Sequence, residues 1–109
     1  MWVRFTKIKT DPENAEALMA LLGSDEVAAA GMAATGQTYY VMQGAQDPGV
    51  VVAMTVWADE ASGQAFFQGP AYAQLAQRMR PYLLAPPEPM TFEIKAMFQA
   101  HAGEMLRYP

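Results

Sequence analysis

The chain contains no cysteine, which excludes disulfide stapling, a thiolate nucleophile and cysteine-ligated zinc or iron-sulfur centres. Its one histidine, His101, has no second imidazole to join in a metal site, and no histidine-carboxylate cluster stands anywhere along the sequence. A Ser-His-Asp arrangement, a glycine-rich phosphate loop and a dinucleotide fingerprint are also missing, so hydrolase, kinase and nicotinamide dehydrogenase chemistry lack their parts. Basic residues are few, seven against eleven acidic ones, and scattered; a net charge of -4 offers no field for a phosphate backbone. No apolar run approaches the ~18 residues of a membrane span, and the opening MWVRFTKIKT lacks the long apolar block of an export signal. The expectation is a cytoplasmic protein with no metal, no cofactor, no nucleic-acid partner and no membrane.

What is present suits one packed domain: 109 residues, just over half of them apolar. Trp2 to Lys9 alternates as a strand, with Val3 and Phe5 on one face and Trp2, Arg4, Thr6 and Ile8 on the other. Asp11-Pro12-Glu13 reads as a helix start, with Asp11 as cap and Pro12 in the first helical position. Ala15, Leu18, Met19 and Leu22 continue an apolar stripe, Gly23 ends it, and Ser24-Asp25-Glu26 opens a second helical piece to about Met32. Gln37–Gln43 and Val50–Trp57 have strand composition, and the short Gly44-to-Gly49 linker predicts an antiparallel hairpin. Asp59 to Leu83 reads as a helix broken at Gly69-Pro70. Pro86-Pro87-Glu88-Pro89 reads as a rigid connector and Thr91–Phe98 as the last strand, which leaves residues 1–98 as the domain and 99–109 as a tail, frayed or docked on a partner subunit.

This order, βαββαβ, predicts a ferredoxin-like α+β fold: a four-stranded antiparallel sheet with helices on one face. The other face carries Val3 and Phe5 and needs a cover, and a second copy of the same sheet is the simplest one, so a homodimer is expected.

The segment TVWADEASGQAFFQGPAYAQLAQRMRPYL, Thr55 to Leu83, resembles the dimeric α/β-barrel superfamily, and within it the antibiotic biosynthesis monooxygenase-like domains: a strand ending in Trp, acidic residues opening a helix, aromatics before a small break, and a stripe running to a terminal Pro. Strand one and the Asp-Pro helix start also fit. The resemblance implies quinone-forming monooxygenases without metal or flavin, haem-degrading enzymes, or members without assigned activity, because the fold does not set the reaction. The haem-degrading branch implies an Asn in strand one, a Trp in the helix after the hairpin and an axial His ten residues later. Here those positions hold Arg4, Phe66 and Ala76, and alanine has no lone pair for iron. Several monooxygenase-like members carry a proton-accepting His where this chain has Phe66, which weakens general-base chemistry.

The remaining residues suited to chemistry are expected in the space between sheet and helices. Arg4 would hold a carboxylate, phenolate or enolate through its planar fork, or would pair with Glu93 or reach solvent. Tyr40 and Tyr72 would orient a phenolic or quinone-like ligand, or simply pack with satisfied hydroxyls. Trp57, Phe66, Phe67 and Met79 would wall a small apolar or aromatic ligand, or form core. The leading reading is a cofactor-independent monooxygenase acting on a small aromatic, quinol or polyketide-like substrate. A non-catalytic ligand-binding or stress-associated dimer, and a purely structural dimer, stand as alternatives.

Overall fold

The computed structural model describes the backbone of residues 1–101 and 103–108; the side chains at 32–37, 99, 101, 106 and 108 fall outside the described set, among them that of His101. Strand β1 (Trp2–Lys9) lies at the centre, antiparallel to β3 (Val50–Trp57) on one side and to β4 (Glu88–Glu93) on the other, and β2 (Gly36–Gln43) pairs antiparallel with β3. The sheet order is therefore β2-β3-β1-β4, the order two βαβ-like halves of one hand generate.

The register sorts side chains strictly by face. Arg4 lies opposite Thr55 on β3 and Thr91 on β4, and Thr55 lies opposite Tyr39 on β2, so these four share the helix-covered face. Phe5 lies opposite Met54 and Met90, and Met54 opposite Tyr40, so these belong to the outer face.

Four helices cover the inner face in two pairs: α1 (Ala15–Leu22) with α2 (Asp25–Thr35), and α3 (Glu60–Phe67) with α4 (Pro70–Met79). The Asp11 carboxylate accepts from the Glu13 N–H at 2.9 Å and opens a single 3-10 turn, Pro12–Asn14, before α1 begins. Asp59 caps α3 by accepting from the Ser62 N–H at 2.8 Å. Pro70 occupies the first turn of α4, where its missing N–H costs no hydrogen bond, so the break at Gly69-Pro70 separates two helices. Ile8 and Val51 from the sheet pack against Ala15, Leu18, Leu22 and Met79 to form the buried core.

The end of the chain differs from the sequence expectation. Strand β4 starts at Glu88, inside the expected proline connector, and Pro89 pairs opposite Thr6. An edge strand tolerates proline because one side of its backbone has no ladder to complete. The expected strand Thr91–Phe98 is divided, because β1 runs out of residues: the Ile94 N–H donates to the Met1 carbonyl at 2.8 Å, the last rung available. A separate hairpin follows, β5 (Met97–His101) with β6 (Glu104–Tyr108), and Gly103, just before β6, has φ +83°. Among the described residues, no helix is long and apolar enough to cross a membrane.

Candidate functional site

At the Trp57 end of the inner face, strand residues and one helix face enclose a pocket. Arg4, Trp57 and Thr91 form its sheet side. Trp57 is two residues along β3 from Thr55, the partner of Arg4, so the two side chains rise from the same face as diagonal neighbours, about 7–8 Å apart. Glu60, Gln64 and Phe67 form the other side. They follow one another at spacings of four and three on α3, which places all three on one helix stripe. The pocket volume is about 150 Å³, a size at which a protein cavity accepts a benzene-sized ring.

The Arg4 guanidinium stacks on the Phe67 ring, 3.8 Å from its centroid, with the Tyr72 ring at 6.0 Å. Phe67 itself meets Trp57 edge-on at 5.2 Å, Phe66 at 5.2 Å and Tyr72 at 4.7 Å. Such stacking holds the cation flat against the cluster and contributes about 0.5–2 kcal/mol. The alternative partner, Glu93, is engaged elsewhere: its carboxylate binds Lys95 at 3.0 Å. Among the described residues no carboxylate forms an ion pair with Arg4.

Three buried side-chain polar atoms among the described residues have no hydrogen-bond partner, and two of them belong to residues that line this pocket, though the atoms themselves are closed off from it: Arg4 Nε and Trp57 Nε1. The third, Thr10 Oγ1, follows the far end of β1. A buried N–H without a partner costs about 1–3 kcal/mol. Trp57 is 98 % buried, the exposed remainder being 2 %, and Gly63 makes this possible, because a β-carbon there would fall within the indole ring.

The space between sheet and helices, where the sequence places the ligand, is a second and smaller cavity. Thr6, Tyr39, Thr55, Phe66, Tyr72 and Met79 are among its walls, and its volume is about 40 Å³, room for little more than water. Phe67 is common to both cavities. Tyr39 spans from β2 to the helices, its hydroxyl donating to the Leu22 carbonyl at 2.8 Å, and burial pushes its phenol pKa up to about 12.

The expected residues are thus partly gathered and partly separated. Arg4, Trp57 and Phe67 meet in the ring-sized pocket, and Tyr72 backs it through Phe67. Phe66 and Met79 line only the smaller cavity of these two. Tyr40 does not join them. It lies on the outer face, half-exposed, beside Val3, Phe5, Met54 and Val56 around an open cleft of about 340 Å³. In QTYYVMQ both tyrosines suit a strand, and the pairing of Tyr39 with Thr55 turns Tyr40 outward. Glu60, Gln64 and Thr91 were missed by sequence reasoning, although the 60/64/67 spacing on a capped helix was available as a signal.

A four-stranded antiparallel sheet with helices on one face defines a ferredoxin-like α+β domain, and its inner face carries an aromatic-lined pocket beside an arginine. The antibiotic biosynthesis monooxygenase family model matches residues 1–78, and the chain belongs to that family. No curated protein matches it in sequence. Among solved structures it is similar to a candidate antibiotic biosynthesis monooxygenase from Deinococcus radiodurans, with a TM-score of 0.78 and 16% identity over 94% of this chain and 100% of that one. It is also similar to the protein of unknown function NE2512 from Nitrosomonas europaea, with a TM-score of 0.73 and 23% identity over 93% and 95% of the two chains. Rv0793 from Mycobacterium tuberculosis gives a TM-score of 0.71 and 18% identity over 93% and 97%. At these identities the likeness shows the shared fold.

Proposed function

We propose that this chain is an oxygenase that acts on a small electron-rich phenol or quinol without metal or flavin, as a cytoplasmic homodimer. The observation that supports the reading is Arg4: a guanidinium stacked on Phe67, without an acidic partner among the described residues, whose buried Nε–H has no acceptor. Such a cation stabilises a phenolate or enolate, and the anion itself is the electron donor to dioxygen. In the net reaction a phenolic ring carbon exchanges hydrogen for a carbonyl oxygen taken from O₂, the phenol becomes the second carbonyl of a quinone, and the other oxygen atom leaves as water. The protein's part is to hold the anion, orient the ring against Phe67 and Trp57, and exclude bulk water.

Oxygen uptake with a panel of monohydric phenols and hydroquinones tests this. Arg4→Gln keeps a polar side chain and removes the charge, and kcat should fall about 10²-fold, the usual cost of removing an oxyanion donor. Equal rates in the two proteins would remove Arg4 from the chemistry. A second reading, a ligand-binding module without turnover, is favoured by one feature: no imidazole is among the described residues lining the pocket. Saturable binding with no oxygen uptake across the panel would select it.

A further inference from the structure

The two edges of the sheet are built differently. In the order β2-β3-β1-β4 the edges are β2 and β4. Strand β4 carries Pro89 and has a carboxylate at each end, Glu88 and Glu93, features that discourage further pairing. Strand β2 runs for eight residues, GQTYYVMQ, with neither a charge nor a proline. Its outward N–H and C=O groups are an open template for another strand. The hairpin β5-β6 has the complementary shortage. It forms a separate two-stranded sheet, and among the described residues no other element packs extensively on it. A two-stranded hairpin alone is marginally stable at best in water, and this one leaves Phe98 and Met105 more than half exposed.

The hairpin cannot serve the β2 edge of its own chain. Only Lys95 and Ala96 separate Ile94, the last residue bonded to β1's end, from Met97 at the start of β5. Three extended steps reach about 11 Å, whereas a strand added beyond β2 lies four strand spacings from β4, about 19 Å. A second copy removes the obstacle. When two outer faces pack about 10 Å apart around a two-fold axis running along the strands, each β4 stands over the other subunit's β2. The position beyond that β2 is then about 11 Å away, within reach of the link. Met97 already borders the outer-face cleft that Tyr40 of β2 also lines, so the hairpin leaves its sheet on the side where the second copy lies. Tyr40, Met42, Met90, Phe92, Phe98 and Met105 keep between 38% and 74% of their surface in water. At about 150–250 Å² per large side chain they expose on the order of 600 Å², most of the ~800 Å² per partner that a stable interface buries. We infer that the hairpin is an exchanged arm: in the homodimer, β5-β6 of each subunit adds to the open β2 edge of the other. The inference rests on the homodimer of the proposed function and is independent of its chemistry.

The experiment uses the absence of cysteine. Glu104→Cys, at the exposed start of β6, gives the full chain a single attachment point for a nitroxide, and Met105→Cys repeats the measurement from the neighbouring position. Both residues are exposed, so neither change threatens folding. Isotopically labelled wild-type subunits are mixed with unlabelled subunits that carry the nitroxide, and amide signals of the wild-type subunits are read by NMR. Amides of Thr38–Gln43 should lose most of their intensity, more than those of β4, and ascorbate reduction of the nitroxide should restore them. Dilution to the monomer should restore them as well. A stable dimer whose β2 amides ignore the nitroxide from either position would overturn the arm and leave the dimer standing. Broadening of β2 only when nitroxide and isotope share one chain would overturn it by placing the hairpin on its own sheet. A wild type that light scattering shows to be monomeric would overturn arm and dimer together, while oxygen uptake decides the oxygenase separately.

Discussion

At Gly63 the backbone of α3 lies against the six-membered ring of Trp57, and a β-carbon there would overlap its Cε3, Cδ2 and Cζ3 atoms. Alanine normally improves a helix interior by about 1 kcal/mol over glycine. Here the clash with a buried ring outweighs that gain, because overpacking a close-packed site costs about 1–3 kcal/mol. Gly63→Ala should therefore lower Tm by several degrees in a thermal melt and weaken ligand binding as Trp57 moves; a raised Tm would show that the ring yields freely. Tyr39 offers a second test. Its hydroxyl bond to the Leu22 carbonyl ties β2 to the end of α1, so Tyr39→Phe should cost about 1 kcal/mol in denaturant unfolding at neutral pH. Burial raises the folded phenol from 10.0 to about 12. The folded state thus holds its proton to higher pH than the unfolded chain, and that contribution is intact below pH 10 and disappears as pH climbs toward 12. The stability gap between wild type and Tyr39→Phe should narrow over that window, and a gap that widened would contradict the assignment.

The elements show how far periodicity carries a reading and where it stops. In β1 the alternation sorts Arg4 and Ile8 to one face and Val3 and Phe5 to the other, but both faces carry bulky groups, so Arg4 points toward the helices only if Val3 and Phe5 face a second copy. In β2, bulky residues occupy both faces, and only its register with β3 decides that Tyr39 points inward and Tyr40 outward. The proline-rich stretch was legible as rigid, but not as an edge strand, because pairing opposite Thr6 and Lys7 is a property of β1's position and not of the prolines. Of the candidate pocket, the strand-borne Arg4 and Trp57 were readable, while Glu60 and Gln64 were missed, because only the sheet supplies the opposite wall. The same topology predicts a gradient of order. In hydrogen exchange, amides of β1 and β3, paired on both sides, should be the slowest; those of edge β4 and of hairpin β5-β6 should exchange earlier. Equal protection of the hairpin and β1 in a monomeric sample would contradict this layering.

For the molecule as a whole, the outer sheet face is the unresolved balance of apolar surface. Phe5 and Phe92 meet edge-on at 6.0 Å, and Tyr40, Met42, Met90 and Phe92 all stand substantially exposed, whereas monomers rarely expose contiguous apolar patches beyond a few hundred Å². A second copy of the same face provides the cover under the proposed function, with the open cleft beside Tyr40 and Met54 at its centre. Light scattering should give twice the chain mass at micromolar concentration, and Met54→Glu should give the single mass with the fold preserved by circular dichroism. A monomeric wild type would refute the dimer without touching the Arg4 pocket, which opens on the opposite side of the sheet.

The central claim is that a single aromatic ring binds between Arg4 and the Glu60-Gln64-Phe67 stripe of α3. A crystal structure of the chain soaked with resorcinol tests it most directly. The account predicts the ring in that pocket, stacked near Phe67, with one oxygen within hydrogen-bond distance of the Arg4 guanidinium. A ring seated in the small cavity among Phe66, Tyr72 and Met79, or on the outer face beside Tyr40, with no oxygen near the Arg4 guanidinium, would contradict it.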